Sequence, residues 1–261
     1  MKYFAVFGNP INHSISPRLH NLALQGYGLA GFYGRVHLED GLELINTFNK
    51  LELSGANVTV PFKEIVLNQC DEIDETAKSI GSLNTLVKRN GKIFGYNTDA
   101  PGFMLAISEF KDIESALILG AGGTARAICY ILQKNGIDVE ILNRSSSRAQ
   151  SFKDCSFFTH QDYKPKGYTL VVNTTSAGLA DDHLPANRDI LKQVLDSSKF
   201  AFDVIYNKNT PFLNLAKSCS LTCKDGKDML LFQAILSFNI FYENKFENEK
   251  IRSFMQEALF F

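Results

Sequence analysis

Long apolar runs, an excess of either charge, and clustered metal-ligating side chains are all missing from this 261-residue sequence. No stretch reaches the roughly 18 uninterrupted apolar residues of a membrane span. Met1 to Phe7 is too short for the apolar core of a secretory leader and runs straight into Gly8-Asn9-Pro10. The expected location is therefore the cytoplasm, with no membrane partner. A formal net charge of −1 leaves no basic footprint and argues against nucleic acid as a partner. The five cysteines, at 70, 129, 155, 219 and 223, are odd in number and scattered. Cys219 and Cys223 have no second pair at ligand spacing, and the five histidines show none either. Reduced, packed thiols and no metal site are expected. Neither an internal repeat nor a low-complexity linker is present.

What is there is ordinary globular material: 45% hydrophobic and 21% charged residues, enough for a large core, at a length open to one large domain or two modest ones. The most informative stretch is Leu117-Ile-Leu-Gly-Ala-Gly-Gly-Thr-Ala-Arg126. An apolar strand ends at Gly120 and a helical pattern opens after Thr124. Strand, glycine turn and helix together set a helix N-terminus and free amides beneath a pyrophosphate. Gly120 permits the tight turn, Gly122 lets the backbone approach phosphates, and Ala125 stands where a small residue is needed for helix–strand packing. A glycine-rich βα turn without a ligand is the alternative; the strand context favours the dinucleotide.

Along the chain, strands are expected at 3–7, 35–38 and 56–60. Between them lie a helix opened by Ser16 as N-cap with Pro17 first inside it, and a second helix through Leu42, Ile45 and Phe48. That alternation implies a parallel sheet with right-handed crossovers. Residues 83–87 and 92–96 read as strands joined at Asn90-Gly91, a hairpin signal. A helix from 99 to 110 leads into the second α/β unit: strand 116–119, helix 124–135, strand 137–142, short helix 145–152, then strands 169–173, 200–205 and 221–223. From Asp228 the pattern is helical only. Periodicity leaves open whether these last helices cap the second unit or return to the first.

In a dinucleotide domain the tip of the second strand faces the adenosine ribose. An acid there suits the 2′-hydroxyl of NAD, and an arginine suits the 2′-phosphate of NADP. Glu140 lies inside the strand. The tip is Asn143-Arg144-Ser145, with Arg148 following, so NADP is the expected cofactor. The first unit offers polar groups for a substrate: His13-Ser14-Ile15-Ser16-Pro17, Gly55 to Lys63, Leu83-Asn84-Thr85, and Gly95 to Asp99. Asn57 and Thr59, two apart on a strand, face one side. Singly, each has a plain structural reading: Ser16 as an N-cap, Asn57 and Thr59 as edge-strand residues, Asp99 as the cap of the next helix. Their concurrence, without an apolar pocket signature, favours a small polyol.

The order Ser-x-Ser-Pro, Asn-Val-Thr-Val-Pro-Phe-Lys (57–63), Asn84-Thr85, Asn97-Thr98-Asp99, Gly120-Ala-Gly-Gly123, Asn143-Arg144, Asp203-x-x-Tyr206 and a late Gln233 resembles the shikimate dehydrogenase family over nearly the whole chain. The resemblance implies an α/β fold of two domains. One is an N-terminal, mainly parallel α/β substrate domain (1–99) completed by C-terminal helices (229–261), and the other a Rossmann-like NADP-binding domain (100–228). It implies an NADP-dependent alcohol dehydrogenase that reversibly reduces 3-dehydroshikimate to shikimate in chorismate and aromatic amino-acid biosynthesis. Lys63 and Asp99 would be the catalytic pair. Ser14, Ser16, Asn57, Thr59, Asn84, Tyr206 and Gln233 would hold the substrate. Gly120, Ala121, Gly122, Gly123, Thr124, Asn143, Arg144, Ser145, Arg148, Val204 and Gly226 would hold NADP(H). Monomers and homodimers both occur in such families. A base is needed because hydride leaves an alcohol only if its proton is also removed.

Three positions depart from the family pattern: Leu179 for a methionine, Lys208 near the place of a proline after Tyr206, and Asp228 for a glycine. Two alternatives stand beside the main reading. A dual-specificity quinate/shikimate relative is one, although the Ser14 and Ser16 pair suits the narrower shikimate pocket. A non-catalytic NADP-binding regulator is the other, and it would have lost Lys63 or Asp99.

Overall fold

The computed structural model describes residues 1–260 and divides into two compact units, Met1–Gly102 with Leu230–Phe261, and Phe103–Met229. Each has its own six-stranded sheet.

In the first unit the chain runs β1 (Lys2–Gly8), α1 (Ser16–Gly26), β2 (Gly31–His37), α2 (Leu44–Lys50), β3 (Gly55–Val58), β4 (Glu72–Ile73), α3 (Glu75–Ile80), β5 (Thr85–Arg89), β6 (Lys92–Tyr96) and the start of α4 (Asp99–Ala106). The sheet order is β2-β1-β3-β5-β6-β4. β1 pairs in parallel with β2 and β3, whereas β5 runs antiparallel to both β3 and β6. The sheet is thus mainly parallel with the expected hairpin, and the antiparallel β3–β5 pairing is the addition. Asn90 and Gly91 both have positive φ, 51° and 81°, so the β5–β6 turn reverses the chain and leaves no crossover. Along β1, Phe4 and Val6 enter one core and Ala5 and Phe7 the other, because both faces of the sheet are covered.

The second unit contains β7 (Ser115–Leu119), α5 (Gly123–Lys134), β8 (Asp138–Asn143), β9 (Ser156–Thr159), β10 (Leu170–Asn173), α6 (Arg188–Leu195), β11 (Phe200–Asp203), α7 (Pro211–Ser218) and β12 (Thr222–Lys224). All its strand pairs are parallel, in the order β12-β11-β10-β7-β8-β9. This doubly wound order reverses between β7 and β10, the crevice where such sheets bind ligands. The short helix expected at 145–152 is a 3-10 helix, Ser146–Phe152. Helices α6 and α7 lie where no element was expected, each opened by a side-chain cap: Asn187 accepts from Asp189 N, and Thr210 from Leu213 N.

The C-terminal α8 (Lys227–Phe241) and α9 (Asn248–Met255) follow. Leu231, Ala234, Ile235 and Phe238 of α8 and Ile251 and Met255 of α9 share a core with Phe4, Leu19 and Tyr33 of the first unit. Among the described residues no helix is long and apolar enough to cross a membrane. Nor is any group of three or more His, Cys, Asp or Glu placed to hold a metal ion.

Candidate active site

In the first unit Asn57, Lys63, Asn84, Asp99 and Gln233 join one hydrogen-bonded cluster. Just past β3 the chain is pinned on both sides of Lys63. Phe62 is buried in the core, and the Lys63 carbonyl accepts Leu83 N–H at 2.9 Å. This fixes the lysine stem, and its Nζ donates to Asp99 Oδ2 at 2.6 Å. The two side chains are only 11% and 8% exposed. A buried pair of this kind is held by geometry, and removing either partner alone strands a charge.

Asp99 is not the cap of the next helix, the plain alternative to its place in the pair. Asn97 Oδ1 accepts Ala100 N–H at the start of α4, at 3.1 Å. The Asp99 carboxylate is free to turn away, where its Oδ1 accepts from Asn84 Nδ2 at 2.9 Å. Asn84 is the hub. Its Nδ2 also reaches Thr98 Oγ1 (2.9 Å) and Gln233 Oε1 (3.3 Å), and its Oδ1 accepts Thr98 N–H at 2.8 Å. Gln233 comes from α8. Gly102 makes that approach possible, since a Cβ there would stand 2.9 Å from Gln233 N.

Asn57 joins the cluster from β3. Its Nδ2 donates to Asn84 O and to Thr85 Oγ1, each at 3.1 Å, and its Oδ1 accepts from Tyr33 OH at 2.7 Å. Thr59 stands one residue beyond β3, half-buried, its methyl against Gly8, where a Cβ would come within 2.5 Å. The buried Ser14 and Ser16 are bonded to one another, hydroxyl to hydroxyl at 3.2 Å. Ser16 is therefore not the N-cap expected of it. Helix α1 begins at Ser16 itself, Ile15 holds the cap position, and Ser14 Oγ accepts Ser16 N–H at 3.3 Å. Arg35 clamps the Ser14 carbonyl with two donors, at 2.9 and 2.6 Å.

Thr85, Thr98, Tyr33 and Arg35 were not among the expected site residues. The threonines were signalled by their place inside the Asn-Thr and Asn-Thr-Asp runs. Tyr33 and Arg35 carried no sequence signal, because their partners are 24 and 21 positions away.

In the second unit Gly120 has φ of +104°, and a Cβ there would lie 2.8 Å from Thr174 Oγ1, so glycine is required at the crevice. Gly122 occupies the N-cap of α5 without a side-chain cap, and a Cβ there would meet nothing within 4 Å. Ala125 is fully buried against the sheet. A helix N-terminus whose N-cap glycine brings no capping side chain and has open space around it fits a pyrophosphate. Ala121, Gly123 and Thr124 complete this turn.

At the tip of β8, Asn143 Nδ2 donates to Ser145 O at 2.9 Å, and Arg144, Ser145 and Arg148 are exposed. Arg144 has no ion-pair partner among the described residues. It does sit near His160, whose imidazole is held below its usual range by burial first and by the Arg144 charge second. Glu140 is occupied: Lys166 Nζ donates to it at 2.8 Å, and Tyr168 OH donates to its other oxygen. A carboxylate so engaged does not serve as a ribose acceptor, whereas an exposed arginine suits a 2′-phosphate.

After β11 the loop carrying Val204 and the half-buried Tyr206 hangs from Asp203. Asn173, Ile205 N–H and Thr210 all donate to that carboxylate, Thr210 at 2.6 Å. Burial pushes the Asp203 carboxyl up against these hydrogen bonds. Val204 and Gly226 meet there, since a Cβ on Gly226 would lie 2.2 Å from Val204 O.

The family departures also find places. Leu179 is exposed, and Lys208 Nζ donates to the carbonyls of Leu179 and Asp181 at 3.3 and 3.2 Å. Asp228 pairs with Lys224 at 2.7 Å in the first turn of α8, where a carboxylate suits the helix dipole.

Residues 6–86 match the family model of the shikimate dehydrogenase substrate binding domain. The chain is 47% identical to shikimate dehydrogenase (NADP(+)) of Helicobacter hepaticus, over 98% of this chain and 99% of that protein. It is 41% identical to the protein of the same name from Helicobacter pylori strain J99, over 99% of each. Among solved structures, shikimate 5-dehydrogenase from Thermus thermophilus in complex with NADP(H) and shikimate superposes with a TM-score of 0.85 at 31% identity, covering 99% of this chain and 100% of that one.

Proposed function

The chain belongs to the shikimate dehydrogenase family, and on that premise we propose that it catalyses the reversible NADP(H)-linked reduction of 3-dehydroshikimate to shikimate. The observation that carries this is the buried Lys63–Asp99 pair at 2.6 Å, set in the Asn84, Asn57 and Gln233 cluster. A protein that bound the ligands without chemistry would have no need of a desolvated ion pair among them, because such a pair is costly to bury.

When bound, NADP(H) supplies or accepts the hydride. The chain's own residues manage the proton. Both oxygens of Asp99 already accept a hydrogen bond, one from Lys63 and one from Asn84. Asp99 is therefore best suited to hold Lys63 in place, and the ammonium, which unlike the carboxylate carries protons, to exchange the proton. In the reducing direction Lys63 gives a proton to the oxygen that becomes the hydroxyl, and in the oxidising direction its neutral amine takes that proton back. Asn57, Asn84, Thr59, Gln233 and the Ser14–Ser16 pair supply the fixed donors and acceptors that a carboxylated polyol needs, which orients the reacting carbon. The glycine turn would take the pyrophosphate, and Arg144 with Arg148 the 2′-phosphate.

Incubation with shikimate and either NADP+ or NAD+, followed by the absorbance of the reduced nicotinamide, tests the reading. Turnover with NADP+ exceeding that with NAD+ is expected. Silence with both cofactors would overturn the enzymatic assignment, and faster turnover with NAD+ would overturn the role of Arg144. Comparison of kcat/KM for shikimate and quinate decides the substrate, with shikimate preferred.

A further inference from the structure

One face of α5 grips the chain that follows the two arginines. Arg126, Cys129 and Gln133, spaced three and four apart, share that face. Arg126 Nη2 donates to Ser151 Oγ, and Gln133 Nε2 donates to Asp154 O at 2.8 Å. Between these contacts, Cys129 Sγ and Cys155 Sγ are 2.9 Å apart and unbonded. That leaves under about 1 Å to close to the sulfur–sulfur bond length of about 2.05 Å. Among the described residues no other two cysteines are in hydrogen-bonding contact. Cys129 is buried on the helix, while Cys155 is half-buried and more open to solvent.

We infer that Cys129 and Cys155 are a redox-active dithiol that closes reversibly to an intramolecular disulfide and clamps the segment carrying Arg148 to the helix that follows the glycine turn. The effect on cofactor binding rests on the NADP reading given above.

The oxidant is a low-molecular-weight disulfide. Cys155, as thiolate, attacks one of its sulfurs, forming a mixed disulfide and releasing one small thiolate. Cys129 then loses its proton to water and attacks Cys155 Sγ, expelling the second small thiolate. The two protein thiols lose two electrons, and the small disulfide is reduced to two thiols. The hydrogen bond between the two thiols lowers the pKa of Cys155 and, with burial added, raises that of Cys129. This order of attack follows from both charge and access.

The structural consequence is local. The 3-10 helix Ser146–Phe152 carries Arg148 and ends at the grip. A covalent tie there removes the freedom of the segment to lift from α5, and a preorganised segment loses less entropy when it meets a 2′-phosphate.

The test uses the full-length protein treated with oxidised glutathione under native conditions. Free thiols counted after denaturation should fall from five to three, the five cysteines less the two joined. A peptide linking Cys129 to Cys155 should appear and vanish with dithiothreitol. Backbone amides of residues 146–155 should exchange more slowly in the oxidised form. Cys155→Ser, at a half-buried position outside the proposed site, should retain all four of its thiols as thiols or mixed disulfides. NADP+ should bind the oxidised form about threefold more tightly. Five titratable thiols after treatment, a link between other cysteines, or a persistent glutathione adduct on Cys155 would overturn the dithiol. An unchanged NADP+ affinity on closure would overturn the clamp. The thiol count needs no cofactor, so a chain binding NADP+ in neither state would sink the cofactor reading alone.

Discussion

Tyr33 donates its phenolic hydrogen to Asn57 Oδ1 at 2.7 Å from a position with no solvent exposure. That bond decides which way the Asn57 amide faces. With the oxygen committed to Tyr33, the nitrogen is left to donate to Asn84 O and Thr85 Oγ1, which ties β3 to β5 within the polar cluster. Tyr33 is thus a positioning residue for a group proposed to bind substrate. Tyr33→Phe keeps the ring and strands the buried carbonyl, at a cost of about 1–3 kcal/mol. Urea unfolding should register that loss. Steady-state kinetics should register an increase in KM for shikimate of about threefold to tenfold, with kcat less affected, because ground-state and transition-state binding are lost together. An unchanged KM would make the bond purely structural.

Lys63→Ala should lower kcat by about 10²–10⁴ with little movement of KM, since proton exchange is needed only as the oxygen changes state. Asp99→Asn preserves shape and can still accept from Lys63, but it removes the charge that holds the ammonium. A kcat loss is expected there too, smaller than for Lys63→Ala. Stopped-flow measurement of nicotinamide absorbance checks both. A Lys63→Ala protein turning over at near wild-type rate would remove the lysine from the mechanism.

How far these features were legible in the sequence depended on the range of the interactions. The glycine turn is a local device: the positive φ of Gly120 and the open cap at Gly122 are properties of five consecutive residues, and the motif announced them. The same holds for the Asn90-Gly91 hairpin. The antiparallel pairing of β5 with β3 was not legible, because pairing partners are chosen by the whole sheet and not by any one strand. Ser16 and Asp99 failed as caps for a related reason. A hydroxyl or carboxylate near a helix start is a local cap signal, but competing partners, Ser14 for one and Lys63 with Asn84 for the other, come from tertiary packing. Glu140 gave only half its meaning. Its place inside β8 was visible, whereas its engagement by Lys166 and Tyr168 depended on residues 26 and 28 positions away.

Arg144 supplies a prediction with two independent readouts. Arg144→Ala removes the charge-assisted contact proposed with the 2′-phosphate, worth about 1.5–3 kcal/mol, so KM for NADP+ should rise by about 10- to 100-fold while KM for NAD+ stays level. The same substitution removes one of the two causes that depress His160, the lesser one after burial. Its imidazole pKa should move up part of the way toward the usual value, as followed by proton NMR titration without any cofactor present. A shift in His160 with no change in NADP+ kinetics would place Arg144 near the imidazole and away from the phosphate.

His20 makes the stability of the fold depend on pH. Its ring is buried and stacked on Tyr33, with centroids 4.2 Å apart and planes 4° from parallel, and neither ring nitrogen has a hydrogen-bond partner. Burial lowers its pKa from 6.5 to about 3. The unfolded chain therefore takes up a proton as pH falls below about 6.5, while the folded chain stays neutral until near 3. Stability contributed by the neutral ring is complete above the unfolded pKa and is lost on acidification through that window. The slope approaches about 1.4 kcal/mol per pH unit where the two states differ by one proton. Urea midpoints measured between pH 7.5 and 4.5 should fall accordingly for the wild type. His20→Phe keeps an aromatic ring against Tyr33 and should flatten that dependence by one proton, even if it shifts the overall stability. An identical pH slope in the two proteins would show that the acid sensitivity arises elsewhere in the chain.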